Sequence, residues 1–139
     1  MQEFISRIDH LVLTVSDIEA TCNFYSRVLD MEVVTFGENR KALKFGEQKI
    51  NLHQVGKEFS PKARYPTSGS ADICFISNKP LSQIKKHIIS FGVDIVAGPV
   101  TRTGAKGAIE SIYRDAPTSI QRMRCRLLGD SSMKTLTEF

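Results

Sequence analysis

The fold is decided by the stretch HLVLTVSDIEATCNFYSRVLDMEVV (residues 10–34), which aligns without a gap with DICFISNKPLSQIKKHIISFGVDIV (72–96), 62 positions later. Few residues are identical, but apolar residues coincide throughout, as Leu13 does with Phe75. In both copies the apolar period changes from two to about 3.6, which is typical of a strand followed by an amphipathic helix. The repeat therefore predicts two copies of one supersecondary unit.

Each copy carries its own signals for the start and the end of a helix. In the first copy, Ser16 and Glu19 form a Ser-x-x-Glu capping box, which is typical of a helix N-terminus. In the second copy, Pro80 suits the first helical turn. Asp30 aligns with Gly92 where each helix should end, because a helix commonly stops at a left-handed residue. The predicted buried faces are Ile18, Cys22, Tyr25, Val28 and Leu29 in the first helix, and Leu81, Ile84, Ile88 and Ile89 in the second.

A short strand follows each predicted helix, at residues 32–36 and 93–96. In the first copy KALKF and KINLHQV then flank the turn Gly46-Glu47, whereas in the second copy AIESIY has no evident partner. We therefore predict an α+β fold of two tandem βαβββ modules in a single domain that spans residues 1–139. Module 1 covers about 6–60 and module 2 about 69–126.

The bulk composition is that of an ordinary globular protein, with 41% apolar and 24% charged residues in 139. Its apolar runs are all much shorter than the roughly 20 residues of a membrane helix. The first residues, MQEFISR, lack an apolar signal core, so we expect a cytoplasmic protein without membrane contact. The cysteines, at positions 22, 74 and 125, are odd in number and widely spaced, which favours free thiols over a zinc or disulfide pattern.

The net charge of +4 is unevenly placed, because residues 120–126, IQRMRCR, hold three arginines and no acid. A basic segment can bind nucleic acid, but no interleaved aromatic residues or known binding module accompany this one. We therefore interpret it as a solvated basic end and do not expect a nucleic acid partner.

The same residues resemble the vicinal oxygen chelate superfamily of glyoxalase I, fosfomycin- and bleomycin-resistance proteins and extradiol dioxygenases. IDHLVLTVSDIEATCNFYSRVLDME is similar to that family's opening, in which a histidine on the first strand precedes a helix carrying Phe-Tyr. Three further stretches resemble more narrowly the glyoxalase domain-containing protein 5 group and its bacterial virulence-associated relatives. They are RKALKFGEQKINLHQVGKEFSPKA, GSADICFIS and GPVTRTGAKGAIESIYRD, and the resemblance covers about residues 6–115.

The resemblance implies a half-open, cavity-lined barrel sheet shared by the two modules, with a divalent metal that chelates vicinal oxygens of a small-molecule substrate. One implied function is a metal-dependent lyase or isomerase similar to lactoylglutathione lyase, acting in detoxification or virulence. The alternative is a non-catalytic binding protein of the resistance type with an incomplete metal site. Fold analogy does not choose between them. The resemblance also implies a homodimer.

Strand alternation selects the residues that would line this cavity. Leu11 and Leu13 suit the face that packs on a helix, which leaves His10 on the cavity face. The repeat places Asp72 at the position of His10, and His53 lies on the corresponding face of residues 49–55. Imidazole and carboxylate ligands would suit zinc, nickel, manganese or iron. The alternatives are a half-exposed polar residue at His10, an edge carboxylate at Asp72 and a hydrogen-bonding residue in the cavity at His53.

Four further residues are candidates for substrate binding. Asn51 holds the position that supplies the family's second ligand, although an amide is a poor metal ligand. Cys74 shares its strand face with Asp72. Arg102 and Lys106 lie in PVTRTGAKG, which we interpret as a flexible loop near the cavity mouth that holds an anionic substrate group. A solvated loop is the alternative.

The resemblance fails near the C-terminal end, where the family's last strand carries a glutamate as the final metal ligand. Here the chain reads RDAPTSIQRMRCRLL, and counting along it places Arg122 at the position of that glutamate. A guanidinium provides no lone pair for a metal. Either the last strand is placed differently or the metal site is incomplete. We interpret 116–139 as an atypical tail, an altered end of an otherwise intact domain.

Overall fold

The computed structural model describes residues 3–114 and the backbone of residues 124–129. In these ranges, two helices and eight strands follow one another as strand, helix and three strands, twice over. Residues 3–69 form one compact unit, and residues 70–114 with 124–129 form another. The predicted α+β fold of two tandem βαβββ modules is confirmed. A barrel shared by the modules stays a prediction.

The first module forms a four-stranded sheet with one helix. Its strands lie side by side in the order β1-β4-β3-β2, in which β1 runs parallel to β4 and the other neighbours are antiparallel. The helix α1 packs against β2, β3 and β4. The elements are β1 (His10–Val15), α1 (Ile18–Leu29), β2 (Glu32–Phe36), β3 (Arg40–Phe45) and β4 (Gln48–Gln54).

The core of this module follows the period of the sequence. Leu13 and Val15 of β1 and Ile50 and Leu52 of β4 are all buried, as alternation requires for one side of the sheet. On the helix the buried residues are Thr21, Phe24, Tyr25 and Val28. Burial of such side chains contributes about 1.5–3 kcal/mol each, which fixes the face that each strand turns to α1.

The first helix begins one residue later than the capping box predicts. Asp17, and not Ser16, is the N-cap, and its Oδ1 accepts a hydrogen bond of 2.9 Å from the backbone N–H of Ala20. Asp30 ends the helix with a left-handed φ of 55°, and the next N–H, of Met31, donates to Tyr25 O. The predicted stop at Asp30 is therefore correct, and the predicted cap is wrong by one position.

The second module has the same connectivity. Its strands lie in the order β5-β8-β7-β6, with β5 parallel to β8. Gly92, one residue beyond the C-cap of the helix, has the left-handed φ of 74° that the repeat predicts. The elements are β5 (Asp72–Ser77), α2 (Leu81–Ser90), β6 (Ala97–Gly104), β7 (Gly107–Arg114) and β8 (Arg124–Gly129).

The missing partner of AIESIY is β6, which corrects two predictions from the sequence. The strand after α2 does not lie at residues 93–96, and PVTRTG is not a loop but strand, closed on β7 by the pair Gly104 and Gly107. Only Ala105 and Lys106 form the turn. Near its start β6 approaches β7 so closely that a Cβ at Gly98 would lie 2.8 Å from Ile112 Cα, so only glycine fits there.

The last described strand, β8, lies between β5 and β7 and completes the second sheet. It begins at Arg124, further along the chain than the position of Arg122 that counting gives. Arg122 and the rest of the tail 116–139, apart from β8, lie outside the described residues. In the part of the chain that the structure describes, no helix is long and apolar enough to cross a membrane.

Candidate functional site

The candidate site lies on the side of the first sheet turned away from α1, which we name the distal face. Strand register assigns its residues, because directly paired neighbours point to the same side. It carries His10, Val12 and Thr14 from β1, Lys49, Asn51 and His53 from β4, Arg40, Ala42 and Lys44 from β3, and Glu32, Val34 and Phe36 from β2.

His10 stands at the exposed end of this face and is held by its neighbour in sequence. Its Nδ1 lies 2.8 Å from Oδ1 of Asp9, with 46% of the His10 side chain exposed. This hydrogen bond is the main cause that lowers the pKa of Asp9. An N–H at Nδ1 that donates to Asp9 leaves the lone pair of Nε2 available to a ligand.

His53 does not lie beside His10. In the parallel pairing of β1 and β4, His10 is opposite Lys49, whereas His53 is opposite Thr14, four residues further along. At about 3.3 Å per residue this separates the two histidines by about 13 Å along the sheet. Because strand side chains stand roughly perpendicular to the sheet, two imidazoles at that distance do not share one metal ion. The structure therefore does not bring His53 and His10 together as ligands of one metal.

His53 belongs instead to a cluster with Arg40 and Phe59, in which only His53 is fully buried. Its Nε2 lies 3.4 Å from Nη2 of Arg40, and its ring centroid lies 5.8 Å from that of Phe59. The residue is only 1% exposed. Burial, followed by the charge of Arg40, lowers the pKa of His53. A neutral ring results, with Nε2 free to accept a hydrogen bond from the guanidinium.

Arg40 and Lys49 contact aromatic rings of the distal face and of the segment that follows β4. The guanidinium carbon of Arg40 lies 5.2 Å from the ring centroid of Phe36 and 4.8 Å from that of Phe59. The ammonium of Lys49 lies 4.4 Å from the centroid of Phe36. These distances are within the range of cation–π attraction, so the rings hold both cations against the sheet.

Asn51 lies in the same row of β4, between Lys49 and His53. It is 7% exposed, and its buried Oδ1 has no hydrogen-bond partner among the described residues. A buried amide oxygen without a partner costs about 1–3 kcal/mol, so it marks a place where a ligand atom would be stabilised. The prediction of Asn51 as a substrate-binding residue stays a prediction.

Asp72 and Cys74 share one side of β5, as alternation predicts. Both are exposed, while Phe75 and Ser77 are buried on the other side. Asp72 pairs in register with Arg124, and Cys74 pairs with Arg126. Asp72 thus begins the first strand of its module, as His10 does in module 1. Their meeting at one metal stays a prediction.

Arg102 and Lys106 occupy different places on the β6–β7 hairpin. Arg102 Nε donates to Tyr113 Oη at 3.0 Å, and Arg102 Nη1 donates to the carbonyl of Thr101 at 3.1 Å. Lys106 lies in the exposed two-residue turn. The guanidinium of Arg102 is therefore fixed by its own hairpin, and the structure does not place these two residues together in a flexible loop.

Comparison with known proteins assigns the family. The sequence model of the Glyoxalase/Bleomycin resistance protein/Dioxygenase superfamily matches residues 7–115. This chain belongs to that superfamily.

Two named relatives are similar to this chain over most of its length. Virulence protein STM3117 of Salmonella typhimurium is 59% identical over 81% of this chain and 78% of its own. Its crystal structure has a TM-score of 0.85 over 91% of this chain and 98% of that chain. Glyoxalase domain-containing protein RDO1 of Mycosarcoma maydis is 53% identical over 78% of this chain, and the match spans only 61% of RDO1.

Lactoylglutathione lyase from Agrobacterium tumefaciens is a more distant structural neighbour. It has a TM-score of 0.70 over 99% of this chain and all of that chain, at 18% identity. At such low identity, the similarity shows only that the two proteins share the glyoxalase fold.

The donor atoms of the described residues do not fit the complete metal site that the superfamily resemblance implies. No group of three His, Cys, Asp or Glu side chains that could hold an ion occurs in residues 3–114. Val12 and Cys74 are equivalent positions of the repeat. Because Val12 pairs with Asn51 and Cys74 pairs with Arg126, the register makes Asn51 and Arg126 equivalent as well. By the resemblance, the position of Asn51 supplies the family's second ligand, and an amide is a poor metal donor.

Sequence reasoning missed the cluster around Arg40. Leu43 of β3 is buried, and α1 packs against this strand. If Leu43 is assigned to the side of α1, alternation on β3 places Arg40 and Ala42 on the distal face. Phe59 could not have been found in this way, since it lies after β4 in a segment without a strand period.

Proposed function

We propose that this chain binds a small oxygen-containing molecule on the distal face of its first module, without metal-dependent catalysis. The donor set of the described residues carries this proposal, because Asn51 holds the position that, by the resemblance, supplies the family's second ligand, and an amide is a poor metal ligand. In residues 3–114, no group of three His, Cys, Asp or Glu side chains could hold an ion.

The relatives support a role of this kind. The superfamily name includes both glyoxalase and bleomycin resistance proteins, so membership alone does not select catalysis. The name of the Salmonella relative associates it with virulence. We propose by this similarity that the ligand is a toxic or stress-related small molecule, bound in the cytoplasm by a homodimer.

A second candidate function is a metal-dependent lyase or isomerase. The contact between Asp9 and His10 favours it, because a carboxylate at Nδ1 is the usual support of a metal-binding histidine. The shared fold with lactoylglutathione lyase is compatible with it but does not select it. In this case His10 and Asp72 would supply ligands, and the remaining donors would have to come from residues other than Asn51 and Arg126.

The metal content of the purified protein separates the two candidates. The protein is incubated with nickel, zinc, manganese or iron(II), passed through a desalting column and measured by plasma mass spectrometry. We expect far less than one equivalent of each metal, because the donor set is incomplete.

Two histidine variants make the result specific. His10→Ala removes the candidate ligand, and His87→Ala removes an exposed histidine of α2 as a matched control. Stoichiometric metal that is lost in His10→Ala and retained in His87→Ala would overturn the proposal in favour of the lyase. Trace metal, equal in all three proteins, supports the binding function.

A further inference from the structure

Two cations of the distal face, Arg40 and Lys49, form no ion pair among the described residues, although the charge of Lys49 acts on Asp9. The ion pairs among residues 3–114 join Arg7 to Glu47, His10 to Asp9 and Lys62 to Glu58. Arg40 and Lys49 take part in none of them, although both are partly buried. Charged side chains are rarely buried unless they are paired, so this arrangement leaves a positive site that an anion would complete.

The hydrogen bonds around Arg40 point to the same conclusion. Its Nε is buried and has no acceptor among the described residues, while Nη2 is directed at His53 Nε2. Asn51, nearby on the same face, has a buried Oδ1 without a partner. Rotation of this amide by 180° would present its two N–H donors at the same place. An incoming group with two or more acceptor oxygens would satisfy Arg40 and Asn51 together.

Glu58, the carboxylate whose charge acts on His53, forms no ion pair with Arg40 among the described residues. Glu58 accepts a hydrogen bond of 3.0 Å from the backbone N–H of Gly56, and its Oε2 lies 4.0 Å from Lys62 Nζ. Its own backbone N–H and that of Gly56 are the main causes that lower its pKa, so it is ionised and already engaged. Its charge acts on Lys62 and His53, and Arg40 is not among the residues on which it acts.

We propose that Arg40, supported by Lys49 and Asn51, binds an oxyanion group of the ligand, a carboxylate or a phosphonate. This inference rests on the proposed binding function and names the chemical class of its ligand. His53 fixes the guanidinium by accepting from Nη2, and the rings of Phe36 and Phe59 restrict it further. The fork of Nε and Nη donors then meets two oxygens of the anion in a bidentate contact.

Nuclear magnetic resonance titration of the full chain tests the proposal. The probes are lactate, methylphosphonate and the neutral lactamide, and the observed signals are the Nε–H of Arg40 and the ring protons of His53. We expect saturable shifts of both signals with at least one of the two anions and none with lactamide. A preference between lactate and methylphosphonate identifies the oxyanion.

Substitutions on opposite sides of β3 and β4 supply matched controls. Lys49→Gln removes one positive charge from the distal face, whereas Lys41→Gln removes one from the other side, where Lys41 Nζ donates to Thr35 Oγ1. We expect Lys49→Gln to weaken anion binding about tenfold and Lys41→Gln to leave it nearly unchanged. Arg40→Lys, which keeps the charge but loses the fork, weakens it by a similar factor.

Two outcomes would overturn the inference while leaving the proposed binding function intact. One is equal binding of lactate and lactamide, which would show that the charge is not recognised. The other is an equal loss in Lys41→Gln and Lys49→Gln, which would show that only net charge matters. Stoichiometric metal bound through His10 is a separate result that would instead reject the proposed function.

Discussion

His53 is a histidine whose charge state is set by its surroundings. It lies buried beside the guanidinium of Arg40, and both burial and that positive charge lower its pKa. Glu58 acts in the opposite direction, and Lys62 adds to the lowering. The neutral ring is what allows Nε2 to accept from Arg40, since a protonated ring would have two donors and no acceptor. The candidate anion site therefore depends on a histidine that stays neutral.

The stability of the protein should consequently fall in mild acid. The unfolded His53 titrates near the ordinary value of 6.5, whereas the folded residue titrates lower. Between these two values the unfolded chain binds more protons, so the free energy of unfolding decreases as the pH falls below about 6.5. Below the folded pKa this contribution becomes constant. Urea denaturation followed by circular dichroism between pH 5 and pH 8 measures it.

The substitution His53→Gln should remove this part of the pH profile, because glutamine does not titrate. His87→Gln, at an exposed residue of α2, is the matched control and should retain it. If the profile is equally steep in wild type and in His53→Gln, the burial and charge argument for this residue is wrong.

At the scale of the element, α1 depends on the residue that caps it. Asp17 satisfies the N–H of Ala20, one of the four donors that a helix N-terminus leaves without partners. We expect Asp17→Ala to lower the free energy of unfolding by about 1 kcal/mol. Glu19→Ala, which a capping box would make comparably costly, should lower it by less. Denaturation at neutral pH compares the two, and a larger loss in Glu19→Ala would restore the capping box.

Elements with a complete local pattern were predictable from the sequence. Both helices, the turn at Gly46 and the stop at Asp30 follow from apolar periods and turn residues. The strand β6 was not predictable in this way. The stretch GPVTRTG begins with Gly98-Pro99 and contains few apolar residues, which suggests a loop. Its identity depends on pairing with β7, a tertiary contact that local composition does not encode.

At the scale of the whole molecule, the candidate site was predictable only where the repeat applies. Repeat and alternation assigned His10 and Asp72 to corresponding strand positions, and the register agrees. Counting from the family's closing turn gives Arg122, which lies outside the described residues. The strand β8 begins later, at Arg124, and its register places Arg126 at the position that corresponds to Asn51. Long-range register, which fixes such positions, is not contained in a single segment.

Association of two copies is a property of the whole molecule. We predict a homodimer, as the superfamily resemblance implies. The N-terminal segment offers it a physical cause, because Phe4, Ile5 and Ile8 are 90%, 81% and 63% exposed. Burying such side chains contributes about 1.5–3 kcal/mol each, so the double substitution Phe4→Ser and Ile5→Ser should raise the dimer dissociation constant at least about tenfold.

Sedimentation equilibrium measures this dissociation constant, with Tyr65→Ser as a control at another exposed ring. A wild-type monomer at all concentrations would reject the dimer, whereas an unchanged constant in the double variant would place the interface elsewhere.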